Sequence, residues 1–352
     1  MTTGTGTGAG STEAPVASTG DAGDGELRAA RRDRVFRAMA AAGIDVLVLG
    51  RGDAVAYATG ARALWTAGTR PFGPAAVLVA STGATHLLST WDAGVPPEVP
   101  VEHLYGVTWN PEVMAGALRA IPGLAEARRL GVDALSPGFE RAARRLAPGA
   151  ELVPADDLLR GVRARKLPGE VERLRAAVDV AAVGVEAARG ALAAGASYAQ
   201  ALAAALGATA GRGVTVPTSA PVVRPAGPGG SLVHIDLGLL VDGYEGALGR
   251  TVPADGASAR EPRLAAEAQR RLLHACRPGA TGAELRTVAA AAGATGWMVR
   301  GSGMGFEPPV VTDTVGAAAG IEEGMALSVE VEIDGIGRRD LAVVGAASAE
   351  VL

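Results

Sequence analysis

Two domains that mix helices and strands are the fold class predicted by this sequence, because helix-like and strand-like segments alternate along its 352 residues. A chain of this length can bury two hydrophobic cores. Hydrophobic residues make up 48% of the sequence and charged residues 20%, a balance typical of globular proteins rather than disordered ones. Only 3% of the residues are aromatic, so we expect cores packed mainly with Ala, Val and Leu.

The first domain is predicted over residues 26–160, after a disordered tail at residues 1–25 that is rich in Gly, Thr and Ser. A charged amphipathic helix over residues 27–42 ends at Gly43, and the apolar run that follows predicts a buried strand over residues 44–49. Further strands are predicted over residues 75–80, 86–89, 101–105 and 130–132, and further helices over residues 111–120 and 139–146. This alternation predicts a layered α/β domain.

The second domain is predicted over residues 161–352. A short basic helix over residues 157–166 is broken by the sequence Leu-Pro-Gly, and a long helix with one apolar stripe begins at Glu170. A strand over residues 232–237 is followed by the turn sequence Asp-Gly and a second extended segment, which predicts a hairpin. The glycine- and proline-rich residues 225–230 predict a flexible loop before that strand.

Composition excludes several classes of partner. The net charge of −4 provides no basic field, so no nucleic-acid partner is expected. The alanine-rich residues 176–208 include Asp179, Glu186 and Arg189, which are costly in a hydrocarbon core, so no membrane partner is expected either. The single cysteine, Cys276, fits a reducing compartment and is expected to be buried and inert. We therefore expect a cytoplasmic protein.

Acidic side chains and one histidine interrupt otherwise apolar strands in the second domain. His234 and Asp236 lie two positions apart on one predicted strand, so their side chains face the same way. A carboxylate in such a strand is costly unless it meets a metal, a donor or another polar group. Glu330 ends a second apolar strand. Two further segments, GSGMGFEPP at residues 301–309 and RRDLAVV at residues 338–344, also place polar groups beside apolar ones.

Taken together, these four segments resemble the M24 metallopeptidases, the family of Xaa-Pro peptidases, prolidase and creatinase. The sequence GIDVLVLGRGDAVAYATG at residues 43–60 looks like the start of the family's N-terminal domain. The sequences RARKLPGEVERLRAA at residues 163–177 and GMALSVE at residues 324–330 look like the entry into its second domain and a strand with a metal-binding Glu. The resemblance implies an α+β pita-bread domain preceded by a smaller layered α/β domain, and it implies a homodimer.

Active members of that family bind two metal ions through two Asp, one His and two Glu. By resemblance, the first Asp corresponds to Asp236, and the two Glu correspond to Glu330 and Asp340. The second Asp falls on Ala247 within the segment GYEGALGRT, and the His falls on Ser302 within the segment GSGMG. The bridging carboxylate and the only imidazole of the metal site are therefore absent from this chain.

The resemblance thus implies that an ordinary dinuclear centre is missing, because these two ligands hold both metals close enough to share a hydroxide. Two further histidines of the family fall on Met298 and Phe306. We expect no cofactor, or at most one hard divalent cation such as Mg²⁺. Asp236, Glu330 and Asp340 would hold that cation weakly, with water completing its shell.

Three functions remain open, each with a small-molecule or peptide ligand. The first is a metal-free or metal-poor hydrolase that cleaves a C–N bond in a small amide, guanidino compound or peptide, as creatinase does without metal. His234 would act as general acid and base, oriented by Asp236, and Glu330 or Glu307 would hold a cationic or amide group. The alternative for His234 is a structural histidine satisfied by a backbone carbonyl.

The second function is a catalytically inactive relative that binds a peptide or small ligand. An apolar cleft lined by Trp297, Met304 and Phe306, with acids at its base, would accept a basic or amino-terminal group. Glu307 and Ser302 complete the set of candidate ligand-binding residues. The alternative is that the aromatic residues only fill space left by the missing histidines. The third function is a weakened Xaa-Pro aminopeptidase.

Overall fold

The structure is a computed structural model that describes residues 21–61, 75–89, 94–106, 110–133, 137–255, 262–304 and 307–352. Within these residues the chain builds two β-sheets. The first has six strands from the N-terminal part of the chain, and the second has eight strands from the C-terminal part. No helix among the described residues is long and apolar enough to cross a membrane.

The six-stranded sheet has the order β4-β3-β2-β1-β5-β6. The elements of this part are α1 (Asp21–Ala42), β1 (Val46–Leu49), α2 (Gly52–Thr59), β2 (Ala76–Val79), β3 (Ala84–Ser89), β4 (Leu104–Gly106), α3 (Pro111–Arg119), β5 (Arg129–Val132), α4 (Pro137–Leu146) and β6 (Glu151–Pro154). Strands β1, β5 and β6 run parallel, whereas β1, β2 and β3 pair antiparallel. Apolar side chains from both faces of β1 are buried, as its uninterrupted apolar sequence predicts.

Two boundaries in this part differ from the sequence prediction. Helix α1 begins at Asp21, so residues 21–25 are helical and the predicted tail is too long; residues 1–20 lie outside the described residues. The predicted strand at residues 101–105 is wrong in its first half, where Val101–His103 form a short 3-10 helix. Strand β4 begins only at Leu104, which is the first residue to pair with β3, whereas Val101 is 81% exposed.

The second part begins with three helices and continues into the eight-stranded sheet. Its elements are α5 (Asp156–Ala164), α6 (Pro168–Ala193), α7 (Tyr198–Gly211), β7 (Val222–Ala226), β8 (Leu232–Val241), β9 (Tyr244–Pro253), α8 (Arg263–Ala275), α9 (Gly282–Ala291), β10 (Gly296–Gly301), β11 (Glu307–Val311), β12 (Ala326–Ile333), β13 (Ile336–Val344) and β14 (Ala349–Val351). The strand order is β11-β10-β12-β13-β9-β8-β7, and β14 pairs with β13. Strand β7 covers the first two residues of the loop predicted at 225–230.

Two tight hairpins set the register of this sheet. Asp242 and Gly243 join β8 to β9 with φ of 51° and 86°, and Asp334 and Gly335 join β12 to β13 with φ of 49° and 81°. Two consecutive residues with positive φ are the requirement of the type I′ turn, which the Asp-Gly sequence tolerates. Because each turn has two residues, the pairing of every residue along both hairpins is fixed.

The two faces of the eight-stranded sheet have different environments. On β8, Val233, Ile235 and Leu237 pack in a buried cluster that includes apolar side chains of α6 and α7. Because side chains alternate along a strand, the residues between them, His234 and Asp236, face away from these helices. They contribute to the cavity that forms the candidate site.

Candidate functional site

A cavity of about 680 Å³ lies on the face of the eight-stranded sheet that α6 and α7 leave uncovered. Strands β7 to β10, β12 and β13 and the segment before β7 supply its lining residues: Pro217, Thr218, Ser219, Ala220, Val222, Arg224, His234, Asp236, Leu240, Glu245, Met298, Arg300, Glu330 and Arg339. The structure thus brings together three residues predicted for catalysis, His234, Asp236 and Glu330.

One row of paired residues crosses the sheet at the base of this cavity. Asp236 on β8 pairs with Gly249 on β9, which in turn pairs with Arg339 on β13. Arg339 pairs with Glu330 on β12, and Glu330 pairs with Met298 on β10. Because Gly249 has no side chain, nothing on β9 stands between the side chains of Asp236 and Arg339.

The side chain of Arg339 crosses over Gly249 to reach β8. Its Nη2 donates to Oδ1 of Asp236 and, at 2.9 Å, to the carbonyl oxygen of Leu237. Burial raises the pKa of Asp236 to about 6, although the guanidinium of Arg339 lowers it. The negative charges of Glu330 and Glu245, which line the same cavity, raise that pKa further.

A second arginine–carboxylate pair lies beside the first. Nη1 and Nη2 of Arg300 donate to the two carboxylate oxygens of Glu245 at 2.8 and 2.5 Å. Oγ of Ser302 donates to the same carboxylate at 2.7 Å, and Oγ1 of Thr218 does so at 3.3 Å. Burial would raise the pKa of Glu245, but these donors and the charge of Arg300 lower it overall. This carboxylate is therefore ionised and fully engaged by protein donors.

Glu330 differs from the other acids that line the cavity. Its carboxylate is half-buried, and it forms neither a hydrogen bond nor an ion pair with any residue that the structure describes. Its charge acts on Arg300, but the guanidinium of Arg300 is directed to Glu245. A third arginine of the lining, Arg224, pairs with Glu332 at 2.9 Å. The cavity thus retains one carboxylate without a partner in the described part of the chain.

The orientation of His234 is set by Thr251, which lies directly opposite it on β9. Oγ1 of Thr251 donates its one proton to the carbonyl oxygen of Gly337 at 2.8 Å and accepts from the amide of Gly337 at 3.0 Å. The contact of 3.0 Å between this hydroxyl and Nδ1 of His234 therefore requires the proton on Nδ1. The lone pair of the imidazole then lies on Nε2.

His234 and Asp236 do not form the predicted dyad. Nε2 of His234 and Oδ2 of Asp236 are 3.8 Å apart, which is too long for a hydrogen bond, and both atoms are acceptors. Burial lowers the pKa of His234 to about 4, and the charges of Arg224 and Arg339 lower it as well, so the imidazole is neutral at pH 7. The expectation that Asp236 orients His234 is wrong, because Thr251 performs that role.

Asp340 does not belong to the cavity, so its prediction as a metal ligand is wrong. It follows Arg339 on β13, and its side chain therefore lies on the opposite face of the sheet. It is completely buried, with Oδ1 2.5 Å from Nη2 of Arg250 and Oδ2 3.0 Å from Nε of Arg338. Arg339, one residue earlier, is the residue that faces Glu330.

Ala247 and Ser302, the residues at the two positions expected to have lost metal ligands, contact other parts of the protein. Ala247 is completely buried and packs with Val178 and Leu341 in a small apolar cluster. Ser302 is also completely buried, and its hydroxyl is directed to Glu245. Ser302 thus acts on the cavity through Glu245 rather than by lining it.

The remaining candidate residues lie away from the cavity lining. Trp297 faces the opposite side of β10 from Met298, packs in the core, and donates its indole N–H to Asp313. Glu307 is buried in an ion pair with Lys166, and burial raises its pKa to about 6. Neither residue lines the described cavity, so their predicted contact with a ligand stays a prediction. Phe306 lies outside the described residues.

Met304, predicted to line the same cleft, packs instead in the cluster that contains Tyr57 and Tyr244. Its sulfur accepts a hydrogen bond from Arg31 of α1. It therefore belongs to the contact between the N-terminal helix and the eight-stranded sheet.

Comparison with known proteins agrees with this fold. The sequence profile of the Creatinase/Prolidase N-terminal domain matches residues 31–165, and that of Metallopeptidase family M24 matches residues 172–347. No curated protein sequence matches the chain significantly.

Solved structures with the same fold match nearly the whole chain. The prolidase from Pyrococcus horikoshii OT3 has a TM-score of 0.69 at 18% identity, covering 92% of this chain and 97% of that one. The Xaa-Pro dipeptidase from Bacillus anthracis has a TM-score of 0.65 at 20% identity, covering 92% and 97%. The X-Pro aminopeptidase from Thermotoga maritima MSB8 has a TM-score of 0.69 at 16% identity, covering 90% and 97%.

The fold and the matched profiles define a two-domain protein, with a creatinase-type N-terminal domain before a pita-bread domain. The chain belongs to Metallopeptidase family M24. The predictions of the fold class and of the family are therefore confirmed. At these identities the solved structures establish the fold and leave the substrate to be argued from the cavity itself.

Members of this family usually bind divalent metals, but the residues of this cavity do not fit a metal pair. The carboxylates of Asp236 and Glu245 already hold Arg339 and Arg300, and a guanidinium fills the space between β8 and β12. Across the described ranges, no three His, Cys, Asp or Glu side chains are grouped so as to hold a metal ion. A doubly charged metal ion beside Arg339 would be repelled, and among the described lining residues it would find one carboxylate without a protein partner, that of Glu330, which is too few ligands for a metal pair.

Sequence reasoning missed three residues of this site, Thr251, Arg300 and Arg339. The Asp-Gly turns could have predicted the positions of two of these residues, Thr251 and Arg339. A two-residue turn at Asp242 and Gly243 places Thr251 opposite His234, and the corresponding turn at residues 334–335 places Arg339 opposite Glu330.

Proposed function

We propose that this member of Metallopeptidase family M24 binds a small compound with a cationic nitrogen group in the cavity, without a metal pair. The observation that carries the proposal is the carboxylate of Glu330, which has no partner among the described residues and lines the same cavity as two further acceptors. Oδ2 of Asp236 and Nε2 of His234 lie 3.8 Å apart, and neither can donate to the other. An ammonium or guanidinium group offers several N–H donors and a positive charge, which these three acceptors require.

Calorimetric titration with butylammonium, butylguanidinium and uncharged butanol tests this proposal. We expect saturable binding of the two cations and none of the alcohol. Glu330→Gln keeps the shape of the side chain and removes its charge, so it should weaken the binding of the cations at least about tenfold, which corresponds to ~1.4 kcal/mol.

Glu323→Gln is the matched control for this titration. It removes an exposed carboxylate that does not line the cavity and should leave the affinity unchanged. If butanol binds as well as the cations, or if Glu330→Gln binds them as tightly as the natural protein, the proposed ligand class is wrong.

A second candidate function is metal-free hydrolysis of a C–N bond in a bound amide, guanidino compound or peptide. It is favoured by the neutral imidazole of His234, whose Nε2 lone pair borders the cavity and could accept a proton from water. The carbonyl carbon of the substrate would gain the hydroxide, and the leaving nitrogen would take the proton from His234. Thr251, and not Asp236, orients the imidazole through a hydrogen bond.

Product release from such substrates, including Xaa-Pro dipeptides, should be measured with a metal chelator present. Activity that survives the chelator and is lost in His234→Gln would support hydrolysis by the protein's own residues. Activity that the chelator abolishes would instead identify a weakened metallopeptidase. Absence of turnover for ligands that do bind would leave binding as the function.

The proposed setting is a cytoplasmic homodimer, with no nucleic-acid or membrane partner. The buried thiol of Cys276, the one cysteine of the sequence, and the acidic net charge support this setting. Light scattering during gel filtration checks the dimer, since a mass near 35.1 kDa would show a monomer.

A further inference from the structure

The guanidinium of Arg339 is built into the centre of the site rather than placed at its margin. The residue is 5% exposed, and its side chain runs along the row that joins Asp236, Gly249 and Glu330. Its Nη2 satisfies both a carboxylate and a backbone carbonyl of β8. An arginine of one strand whose guanidinium donates to two acceptors on another strand is a fixed charge, because its planar group loses little freedom for each bond that it forms.

Gly249 leaves the space that this side chain needs. A Cβ at Gly249 would lie 3.0 Å from Cβ of Arg339 and 2.6 Å from Oδ2 of Asp236. Any side chain at this position of β9 would therefore crowd the path of the arginine between the strands.

We propose that Arg339 is the resident cation of this site, and that it takes the place of a divalent metal. Its guanidinium balances the charge of Asp236, lies directly across the ladder from Glu330, and repels a doubly charged metal ion from the space between these two carboxylates. Asp236 therefore has its counter-charge before any ligand binds, and the carboxylate of Glu330 stays available to a singly charged ligand. This inference concerns the charge of the site and does not depend on which compound the cavity accepts.

The substitution Arg339→Glu tests this role by reversing the charge at one position. Three carboxylates, from Asp236, Glu330 and the substituted residue, would then lie in the same row across the sheet, with only the side-chain-free Gly249 between Asp236 and the substituted position. Oxygen ligands in this number and arrangement suit Mn²⁺ or Mg²⁺. We expect the variant to bind Mn²⁺ at least tenfold more tightly than the natural protein, measured by the loss of the free-Mn²⁺ electron paramagnetic resonance signal.

Arg338→Glu is the matched control, because it makes the same change of charge one residue earlier on the opposite face of β13. It should bind Mn²⁺ no better than the natural protein. If Arg339→Glu folds and gains no affinity over Arg338→Glu, or if the natural protein already binds Mn²⁺ as tightly as Arg339→Glu, the proposed role of Arg339 is overturned.

The variant could also unfold, because three buried carboxylates repel one another. In that case the melting temperature should be measured with and without Mn²⁺ for Arg339→Glu, Arg339→Gln and Arg339→Lys. A rise on adding Mn²⁺ that is confined to Arg339→Glu supports the proposal. An Mn²⁺-dependent rise of equal size in Arg339→Lys, which keeps the positive charge, contradicts it.

Discussion

Arg339 of β13 donates a hydrogen bond to Asp236 of β8 across the backbone of β9, which has a glycine at the crossing point. The contact joins two strands that are not neighbours in the sheet. It therefore depends on three properties at once: a long basic side chain, an acid at the matching register, and the absence of a side chain between them.

Gly249→Ala tests whether Arg339 can reach Asp236 only when position 249 of β9 has no side chain. The added methyl group would approach Oδ2 of Asp236 to 2.6 Å, so either the acid or Arg339 must move. We expect a loss of stability of about 1–3 kcal/mol, the usual cost of overpacking, measured by urea unfolding. Gly207→Ala is the control, because Gly207 lies within α7 with nothing within 4 Å of the added group. That change should stabilise the protein by about 0.5–1 kcal/mol.

Thr251→Val should destabilise the protein by about 1–3 kcal/mol, because Nδ1 of His234 and the amide of Gly337 would both lose a buried acceptor. Urea unfolding measures the loss. Thr251→Ser keeps the hydroxyl and should retain most of the stability. Equal losses in the two variants would mean that packing of the methyl group, rather than the hydroxyl, matters at this position.

Substitutions of Glu245 and Arg300 should have strongly non-additive effects on the free energy of unfolding. Glu245→Gln removes the bidentate partner of a largely buried guanidinium and should cost about 3–5 kcal/mol. Adding Arg300→Met should restore part of that stability, because the unbalanced charge is removed as well. A double-mutant cycle by chemical unfolding measures the coupling. Additive losses would show that the two charges do not depend on each other.

The lowered pKa of His234 predicts that the protein loses stability in acid. Its pKa is about 4 in the folded protein and about 6.5 in an unfolded chain. Between these values the unfolded state binds more protons, so the stability contributed by the neutral imidazole falls as the pH falls from 6.5 to 4. The loss amounts to about 3 kcal/mol by linkage.

His234→Gln removes this titration, so its stability should fall less than that of the natural protein over the same pH window. The measurement is the difference in unfolding free energy between the two proteins at pH 7 and at pH 4. A constant difference would show that His234 is not held neutral by the fold. Asp236 acts in the opposite direction, because its raised pKa of about 6 favours the folded state as the pH falls below 6. Comparing two proteins that both contain Asp236 cancels this contribution.

The sequence by itself determined the family, the alternation of helices and strands, and two acids of the site, Asp236 and Glu330. Periodicity placed the strand with His234 and Asp236, and short segments spread along the chain carried the resemblance to M24 peptidases. The sequence predicted the ends of helices and strands less accurately where glycine-rich segments adjoin them. The glycine-rich sequence before α1 predicted a tail, yet the helix extends back to Asp21.

Only the tertiary structure decided which polar side chains share the cavity. Asp340 and Arg339 are neighbours in sequence, but alternation along β13 sends one into an ion cluster with Arg250 and the other to Asp236. A shift of one residue therefore exchanges an acid for a base at the centre of the site. The partners of Glu245 and His234 come from strands distant in sequence, so their pairing depended on the register of the sheet. Because that register is set by the two Asp-Gly turns and by packing against the helices, charge balance in the cavity is a property of the folded sheet as a whole.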